Sequence, residues 1–302
     1  MKARHQYIGF AKLCRLFGIT RQAYYQHFNQ AVNTALQQEL IIKEVLKIRQ
    51  YHPRIGTRKL YIMLEAFMLS HQIKMGRDAL FNLLSQYNLL IRKRRSNIKT
   101  TQSHHWLKKY PNLIKDLTPT KPNQLYVSDI TYWKINIGYV YISLITDAYS
   151  HKIVGYHLSE TLDADSSLKA LKMALLPLDT KLNSSLIHHS DRGVQYCSHK
   201  YVNLLQQNSI DVSMTENGDP LENAIAERVN GILKEEYLDH YDLRNITEAK
   251  ILLDQVIKLY NEDRPHMSIG NLVPSLVHQN QTIKIEKKWK NYYQRKQTVN
   301  LF

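Results

Sequence analysis

The spacing of apolar residues changes about 120 residues into the chain. Before that point they recur at helical intervals, as at Phe10, Leu13 and Phe17. From Gln124 onward they alternate with polar residues or form short runs, as in residues 125–133 and 138–145, and this is typical of β-strands. The pattern therefore predicts an all-helical region followed by an α/β region.

The first helical pair resembles a helix-turn-helix. A helix over residues 10–17 is followed by Gly18, which can end it, and Thr20 can cap a second helix. In a helix-turn-helix the second helix enters the DNA major groove, so Arg21 and Gln22 are candidate DNA contacts. Small helical hairpins that only pack together have the same pattern.

A second helical unit follows. Apolar spacing predicts helices over about residues 39–50 and 77–87, and Pro53 and Gly56 interrupt the helical pattern between them. Thr57 is a plausible cap for a further helix that carries Arg58 and Lys59, and these two are candidate DNA contacts. A packing module without DNA contact is the alternative.

Positive charge is concentrated in the helical region. The chain has 41 Lys and Arg, 26 Asp and Glu and a formal net charge of +15. Residues 1–120 hold 21 of the basic and 5 of the acidic residues, so the remainder has a net charge of −1. This segregation predicts a DNA-binding half, in which Arg92, Lys93, Arg94 and Arg95 neutralise phosphates without reading sequence.

Composition excludes several classes of protein. Cys14 and Cys197 are too few for a disulfide framework or a four-cysteine zinc site. No apolar run approaches the roughly 18 residues of a membrane span, and the N-terminus lacks a secretory signal. We therefore expect a soluble cytoplasmic protein with no membrane partner.

The second half predicts a mixed sheet flanked by helices. Strands are expected over about residues 125–133, 138–145, 152–156, 185–191 and 211–214. Helices are expected over about residues 165–175, 201–207, 224–238 and 248–262. Three antiparallel strands followed by alternating helices and strands give an α/β fold.

Three acidic residues occupy positions that are typical of a catalytic or metal-binding site. Asp129 lies inside an apolar strand, Asp191 ends another, and Glu227 follows small or apolar residues on a helix. Partly buried carboxylates are costly without a cation or hydrogen bonds. Three such groups at one end of a sheet would suit Mg²⁺, and two ions could support phosphoryl transfer. Strand-end hydrogen-bond acceptors and a helix surface charge are an equally good interpretation.

Other polar residues have simpler interpretations. Asp147 follows a strand and precedes a turn, which favours a turn acceptor over a fourth metal ligand. His188 and His189 have no cysteine or spaced third histidine to complete a zinc site, which favours packing or a position beside DNA. The two cysteines are interpreted as ordinary reduced thiols.

Several motifs in order resemble the OrfB transposases of the IS3-type insertion-sequence family, whose core is similar to retroviral integrases. The resemblance covers essentially the whole chain, and 35 residues separate Asp191 from Glu227. Its motifs are Asp129-Ile-Thr-Tyr132, His189-Ser-Asp-Arg-Gly-Val-Gln-Tyr196, Asn223-Ala-Ile-Ala-Glu227, Leu233-Lys234, Tyr260-Asn-Glu-Asp-Arg-Pro-His266 and Asn271-Leu-Val-Pro274.

The resemblance implies a DDE transposase with an RNase H-like catalytic domain. Asp129, Asp191 and Glu227 match the catalytic triad that binds two Mg²⁺ or Mn²⁺ ions, and Lys234 matches a basic residue that contacts the DNA backbone. The implied partners are double-stranded DNA at element ends and target, further copies of the chain on DNA, and an upstream-frame protein that supplies a zipper. A bacterial protein that joins the nucleoid when bound to DNA is also implied.

The resulting domain prediction has five parts. They are a helix-turn-helix-like segment at residues 1–35, a second such unit at 36–100, a basic linker at 101–122, an RNase H-like integrase core at 123–285 and a basic tail at 286–302. Two other functions remain open: a catalytically silent DNA-binding remnant that represses or competes at element ends, and a nuclease without a joining step.

Overall fold

The computed structural model describes residues 9–92, 106–178, 185–216 and 223–280, together with residues 283 and 285. These residues form two compact units. The helical unit holds the described residues up to Gln50 and those of Gly56–Leu90. The sheet unit holds Tyr51–Ile55 and the described residues from Ile91 onward.

The helical unit contains α1 to α5. Their bounds are Phe10–Leu16, Arg21–Tyr51, Thr57–Met63, Glu65–Ser70 and Arg77–Gln86, and the last residue of α2 belongs to the sheet unit. Gly18 has a φ of 67°, and the N–H of Ile19 donates to the carbonyl of Cys14 at 3.0 Å. The hydroxyl of Thr20 accepts a 3.0 Å hydrogen bond from the N–H of Ala23. The predicted stop and cap of the first helical pair are therefore confirmed.

Two expectations for this unit were wrong. Helix α2 is one helix of 31 residues, whereas the sequence pattern predicted separate helices before and after residue 39. Residues 22–38 contain neither Gly nor Pro, so nothing in the backbone interrupts the helix. The predicted domain boundary at residues 35/36 falls inside it. Gly56, and not Thr57, occupies the cap position of α3, and Thr57 is buried in its first turn.

The sheet unit is built on five strands in the order β3-β2-β1-β4-β5. Their bounds are Leu125–Ile135, Gly138–Asp147, Ile153–Ser159, Ile187–Ser190 and Asp211–Met214 for β1 to β5. The pairs β1–β2 and β2–β3 are antiparallel, and β1–β4 and β4–β5 are parallel. This mixed sheet agrees with the prediction.

The helices of the sheet unit are α6 to α11. Their bounds are Ala164–Leu175, Val194–Cys197, His199–Gln207, Ala224–Ile232, Ile246–Glu262 and Pro274–Gln279. The helix predicted over residues 224–238 is α-helical only as far as Ile232. It continues as a π-helical turn at Leu233–Tyr237 and a 3-10 turn at Leu238–His240, and a further 3-10 turn lies at Met267–Ile269.

Apolar clusters cover both faces of the sheet. On one face Trp133 and Leu144 pack with Val229 of α9 and Tyr260 of α10. On the other, strand residues pack with α6 and α8. A Cβ on Gly155 would lie 2.2 Å from the carbonyl oxygen of Ala170, so only glycine allows β3 to approach α6 this closely. A mixed sheet between helical layers, preceded by an all-helical region, confirms the predicted fold class.

Among the described residues, no helix is both long enough and apolar enough to cross a membrane.

Candidate active site

The parallel pairing of β1 with β4 places two aspartates side by side. Ser128 of β1 is in register with Ser190 of β4, and each is followed directly by an aspartate. Asp129 continues β1, and Asp191 lies one residue beyond the end of β4. Because neighbouring parallel strands run in the same direction, Asp129 and Asp191 leave this pair at the same edge of the sheet.

Asp129 is half-buried and both of its carboxylate oxygens accept hydrogen bonds. Its Oδ2 accepts from the side-chain amide of Asn230 at 2.7 Å, and its Oδ1 accepts from the N–H of Ile130 at 2.8 Å. Burial, followed by the negative charge of Asp191 and then that of Glu227, outweighs these hydrogen bonds and raises the pKa of Asp129 from 3.8 to about 7. The negative charges of Asp191 and Glu227 therefore both act on Asp129.

Asp191 is held by the turn that follows it. Its Oδ1 accepts a 2.9 Å hydrogen bond from the N–H of Gly193. A Cβ on Gly193 would lie 3.0 Å from the same oxygen, so a larger residue there would press on the carboxylate. The turn thus fixes Asp191 through backbone contacts.

Helix α9 is tied to β1 by two asparagine side chains. The amide of Asn223, the residue before α9, donates to the carbonyl of Ser128 at 3.0 Å, and Asn230 donates to Asp129. Both asparagines are buried, whereas Glu227, which lies between them in the sequence, is exposed. Residues three and four apart share one helix face, so Glu227 lies on the side of α9 that the two amides hold against β1.

Sequence reasoning did not identify Asn230 as a functional residue. The available signal was a polar amide three residues after Glu227, in a helix whose neighbouring residues are apolar. A buried amide in such a place needs a partner, and here that partner is a candidate catalytic carboxylate.

Lys234 lies in the π-helical turn that follows α9. Its ammonium stands 4.0 Å from the centre of the Tyr132 ring, in cation–π geometry. The side chain is half-buried, and this burial lowers the pKa of the ammonium. Lys234 is therefore placed against β1 three residues after Asp129, although by a π turn and not by two further turns of α-helix.

The geometry of the described side chains does not by itself show the expected metal site. Among the described side chains, no three His, Cys, Asp or Glu residues are arranged so that they could hold a metal ion. The chemistry of the donor set nevertheless fits a hard cation, because all three groups are carboxylates. A cation would also offset the burial and the repulsion from neighbouring carboxylates that raise the pKa of Asp129.

The candidate DNA contacts occupy different parts of the chain. Arg21, Gln22 and Arg58 are exposed and Lys59 is half-buried, all in the helical unit. Arg92 is exposed in the sheet unit, where its carbonyl accepts a hydrogen bond from Arg54. Lys93, Arg94 and Arg95 lie outside the described residues.

The residues with simpler interpretations behave as expected. Asp147 is fully buried and accepts hydrogen bonds from the N–H of Asn123 and from the N–H and hydroxyl of Ser150 at 2.6–2.8 Å, as a turn acceptor does. His188 and His189 are both buried. The Nε2 of His188 lies 2.9 Å from the hydroxyl of Tyr201, and the Nδ1 of His189 lies 2.8 Å from the hydroxyl of Ser213. Cys14 and Cys197 are buried free thiols.

The closing motif, Tyr260-Asn-Glu-Asp-Arg-Pro-His266, holds the end of α10 in place. The side-chain amide of Asn261 both accepts from the N–H of Ile153 and donates to its carbonyl, at 2.9 and 3.0 Å. Arg264 is fully buried and donates to the two carboxylate oxygens of Glu236 at 2.8 and 2.7 Å. This part of the resemblance therefore corresponds to structural contacts that fasten α10 to β3 and to the π turn.

Comparison with known proteins gives a consistent result. Models of the integrase core domain match residues 119–220 and 208–274. The insertion element IS600 uncharacterized 31 kDa protein of Shigella sonnei is 34% identical over 267 residues, which are 87% of this chain and 96% of that protein.

Two further relatives carry transposase names. The transposase for insertion sequence element IS629 of Shigella sonnei is 27% identical over 91% of this chain and 92% of its own length. Transposase InsF for insertion sequence IS3A of Escherichia coli (strain K12) is 32% identical over 56% of this chain and 59% of its own length.

Proposed function

The chain belongs to the IS3-type family of insertion-sequence DDE transposases, and from this membership we propose that it acts on the ends of a mobile DNA element. It is a polynucleotidyl transferase that binds element ends, cuts the 3′ strand there and joins the freed 3′-hydroxyl to target DNA. No covalent protein intermediate is needed. The observation that carries the proposal is that Asp129 and Asp191 directly follow Ser128 and Ser190, which pair in register, while Asn230 of the Glu227 helix donates to Asp129.

Asp129, Asp191 and Glu227 are the proposed catalytic residues and the proposed ligands of two Mg²⁺ or Mn²⁺ ions. Such ions supply activation of the attacking oxygen and stabilisation of the leaving oxygen in phosphoryl transfer. The protein's own part is to hold two carboxylates on adjacent strands and a third on α9. By donating to its Oδ2, Asn230 orients the Asp129 carboxylate and favours its ionised form.

The proposed DNA contacts divide into two kinds. Lys234 meets a backbone phosphate near the cleaved strand. Its contact with Tyr132, which lies three residues after Asp129 on β1, supports this role. Arg21, Gln22, Arg58 and Lys59 of the helical unit, with Arg92, Lys93, Arg94 and Arg95 after it, bind the element end. Their Lys and Arg side chains give affinity through phosphate neutralisation.

Synapsis of two element ends requires at least two copies of the chain on DNA, so we propose a homo-oligomer. We also propose an upstream-frame partner, on the ground that the IS3-type pattern includes a zipper from a preceding reading frame.

The test uses DNA that carries the terminal repeats bracketing the gene, with the purified full chain and Mg²⁺. The wild type should cut and join this DNA, and Asp191→Asn or Glu227→Gln should abolish both steps while DNA binding stays nearly intact. Glu262→Gln is the matched control, because Glu262 is an exposed helix carboxylate at the end of α10. Its activity should equal that of the wild type.

The outcomes separate the alternatives. Cutting without joining would favour a nuclease, and DNA binding with neither step would favour a silent remnant. Activity that survives Asp191→Asn or Glu227→Gln would overturn the assignment of the triad.

A further inference from the structure

Residues Tyr51–Ile55 connect α2 to α3 along the chain, yet they belong to the sheet unit. His52 is 1% exposed there and makes two short contacts. Its Nε2 lies 2.6 Å from the Oδ2 of Asp263, and its Nδ1 lies 2.7 Å from the hydroxyl of Tyr237. A histidine from the helical part of the sequence thus joins the end of α10 to the end of the π turn.

The two contacts involve the two ring nitrogens of His52. A carboxylate oxygen accepts, so the Nε2–H of His52 donates to the Oδ2 of Asp263. The Nδ1 of His52 shares the second hydrogen bond with the hydroxyl of Tyr237. Both ring nitrogens are satisfied, and the ring orientation is fixed from both sides.

The same segment holds the residue beside Tyr237. The N–H of Arg54 donates to the carbonyl of Glu236 at 3.3 Å, while Arg264 binds the Glu236 carboxylate through two hydrogen bonds. Glu236 and Tyr237, the last two residues of the π turn, are therefore bound by residues of Tyr51–Ile55, and Glu236 is also bound by Arg264 of the closing motif.

A π turn carries one more residue than the α-helical turn it replaces, and such turns are frequent at functional sites. This π turn contains Lys234, whose ammonium lies over Tyr132 on the strand that bears Asp129. The contacts made by His52 act on the far end of the turn, three residues from Lys234.

We propose that His52 is a positioning residue for the transposition reaction. By binding Tyr237 and Asp263 it keeps the π turn in the register that places Lys234 against β1 and beside the DNA phosphate. The inference rests on the proposed function, because it acts through the role of Lys234 in holding DNA. It adds a requirement that is not contained in the triad: the segment at Tyr51–Ile55 must be docked for the sheet unit to work at full rate.

The test compares two tyrosine variants in the full-length chain. Tyr237→Phe removes the hydroxyl that bonds to His52. Tyr201→Phe is the matched control, because Tyr201 is also buried and its hydroxyl also bonds to a buried histidine, His188, but outside the π turn. His52→Ala is the second test variant. Thermal unfolding confirms that each variant is folded.

The first readout does not depend on activity. Lys234 is labelled with an amine-reactive acetylating reagent at low conversion, and its labelling relative to Lys169 and Lys172 is measured by mass spectrometry. Because the turn is released, Tyr237→Phe and His52→Ala should raise the labelling of Lys234 by about twofold or more, and Tyr201→Phe should leave it unchanged. Unchanged labelling in both test variants would overturn the proposal.

The second readout is a double-mutant cycle on single-turnover strand transfer. Tyr237→Phe should slow the step by about tenfold in the wild-type background, and by less than about twofold when Lys234 is already alanine. Equal fold-losses in both backgrounds would show a merely structural role and reject the proposal. A wild type without strand transfer would remove the proposed function, while the labelling would still decide whether His52 positions Lys234.

Discussion

The two aspartates and the glutamate of the candidate site are held by different means. Asp129 and Asp191 are placed by backbone pairing of adjacent parallel strands, and Asp191 is further fixed by the N–H of Gly193. Glu227 is placed by a helix that side-chain amides, Asn223 and Asn230, tie to β1. Moving either strand would break the backbone pairing of the sheet, whereas moving the helix would change two amide contacts and side-chain packing such as that of Val229, but no backbone pairing. The aspartate pair is therefore the rigid part of the site, and the glutamate helix is the adjustable part.

The largest effect on strand transfer should come from changing the side-chain length of Asp191 and of Glu227. Asp191→Glu adds a methylene to a carboxylate on a fixed backbone, so strand transfer should fall by about a thousandfold. Glu227→Asp shortens the side chain on the adjustable helix and should cost about ten- to a hundredfold. Single-turnover strand-transfer rates at saturating Mg²⁺ measure both. Equal losses would contradict the difference between the two parts.

The next largest effect on strand transfer should come from removing the hydrogen bond between α9 and Asp129. Asn230→Ala removes the amide that donates to Asp129, so both the orientation of this carboxylate and the position of α9 are lost. Strand transfer should fall by about ten- to a hundredfold, and the free energy of unfolding should fall by about 1–3 kcal/mol. Asn208→Ala is a suitable control, because its amide donates to the carbonyl of Leu204 within the same helical turn. Its transfer rate should match that of the wild type.

A smaller effect should follow from crowding the rigid part. Gly193→Ala places a methyl group 3.0 Å from the Oδ1 of Asp191, although the glycine's φ of −61° is allowed for alanine. The carboxylate must shift by a few tenths of an ångström, so strand transfer should fall by about tenfold with little change in thermal stability. Gly231→Ala, where a Cβ meets nothing within 4 Å, is the matched control on α9. A full-rate Gly193→Ala enzyme would show that Asp191 is not tightly held.

The strands that carry the two aspartates and the start of the helix that carries Glu227 were predictable from sequence, but the end of that helix was not. An acid inside or directly after each of two apolar strands is visible in the residue pattern, and strand direction then fixes where the two meet. Helix α9 was predicted to run on to residue 238, because the pattern contains no signal for a π turn. Such a turn depends on distant partners such as His52 and Arg264, which local spacing does not reveal.

The same limit applies to the helical region. The stop at Gly18 and the cap at Thr20 are local features, and both were predicted from single residues. The continuity of α2 through residues 22–38 was missed because weak apolar periodicity suggested a gap, although no residue there breaks a helix. The absence of Gly and Pro was therefore a better guide than the pattern of apolar residues.

The smallest effect is on stability and distinguishes the two parts without any DNA. The pKa of Asp129 is raised from 3.8 to about 7, so the folded protein binds a proton more tightly than the unfolded chain does. The wild type therefore loses stability as the pH rises through about 7. Asp129→Asn, which carries no charge at any pH, escapes this loss and can still accept from Asn230. With EDTA present, we expect Asp129→Asn to be more stable than the wild type at pH 8 by about 1–3 kcal/mol, after discounting for the part of the carboxyl group that faces solvent.

Chemical denaturation of both proteins at pH 5 and pH 8 measures this difference. The advantage of Asp129→Asn should be smaller at pH 5 than at pH 8, because the loss of wild-type stability begins where the unfolded carboxyl group ionises, near 3.8, and is complete only above about 7. Glu227→Gln should change the free energy of unfolding by no more than about 0.5 kcal/mol at either pH, because Glu227 is exposed. A stability gain for Glu227→Gln as large as that for Asp129→Asn would mean that the charges of the two carboxylates destabilise the fold equally. The aspartate on the sheet would then be no more constrained than the glutamate on the helix.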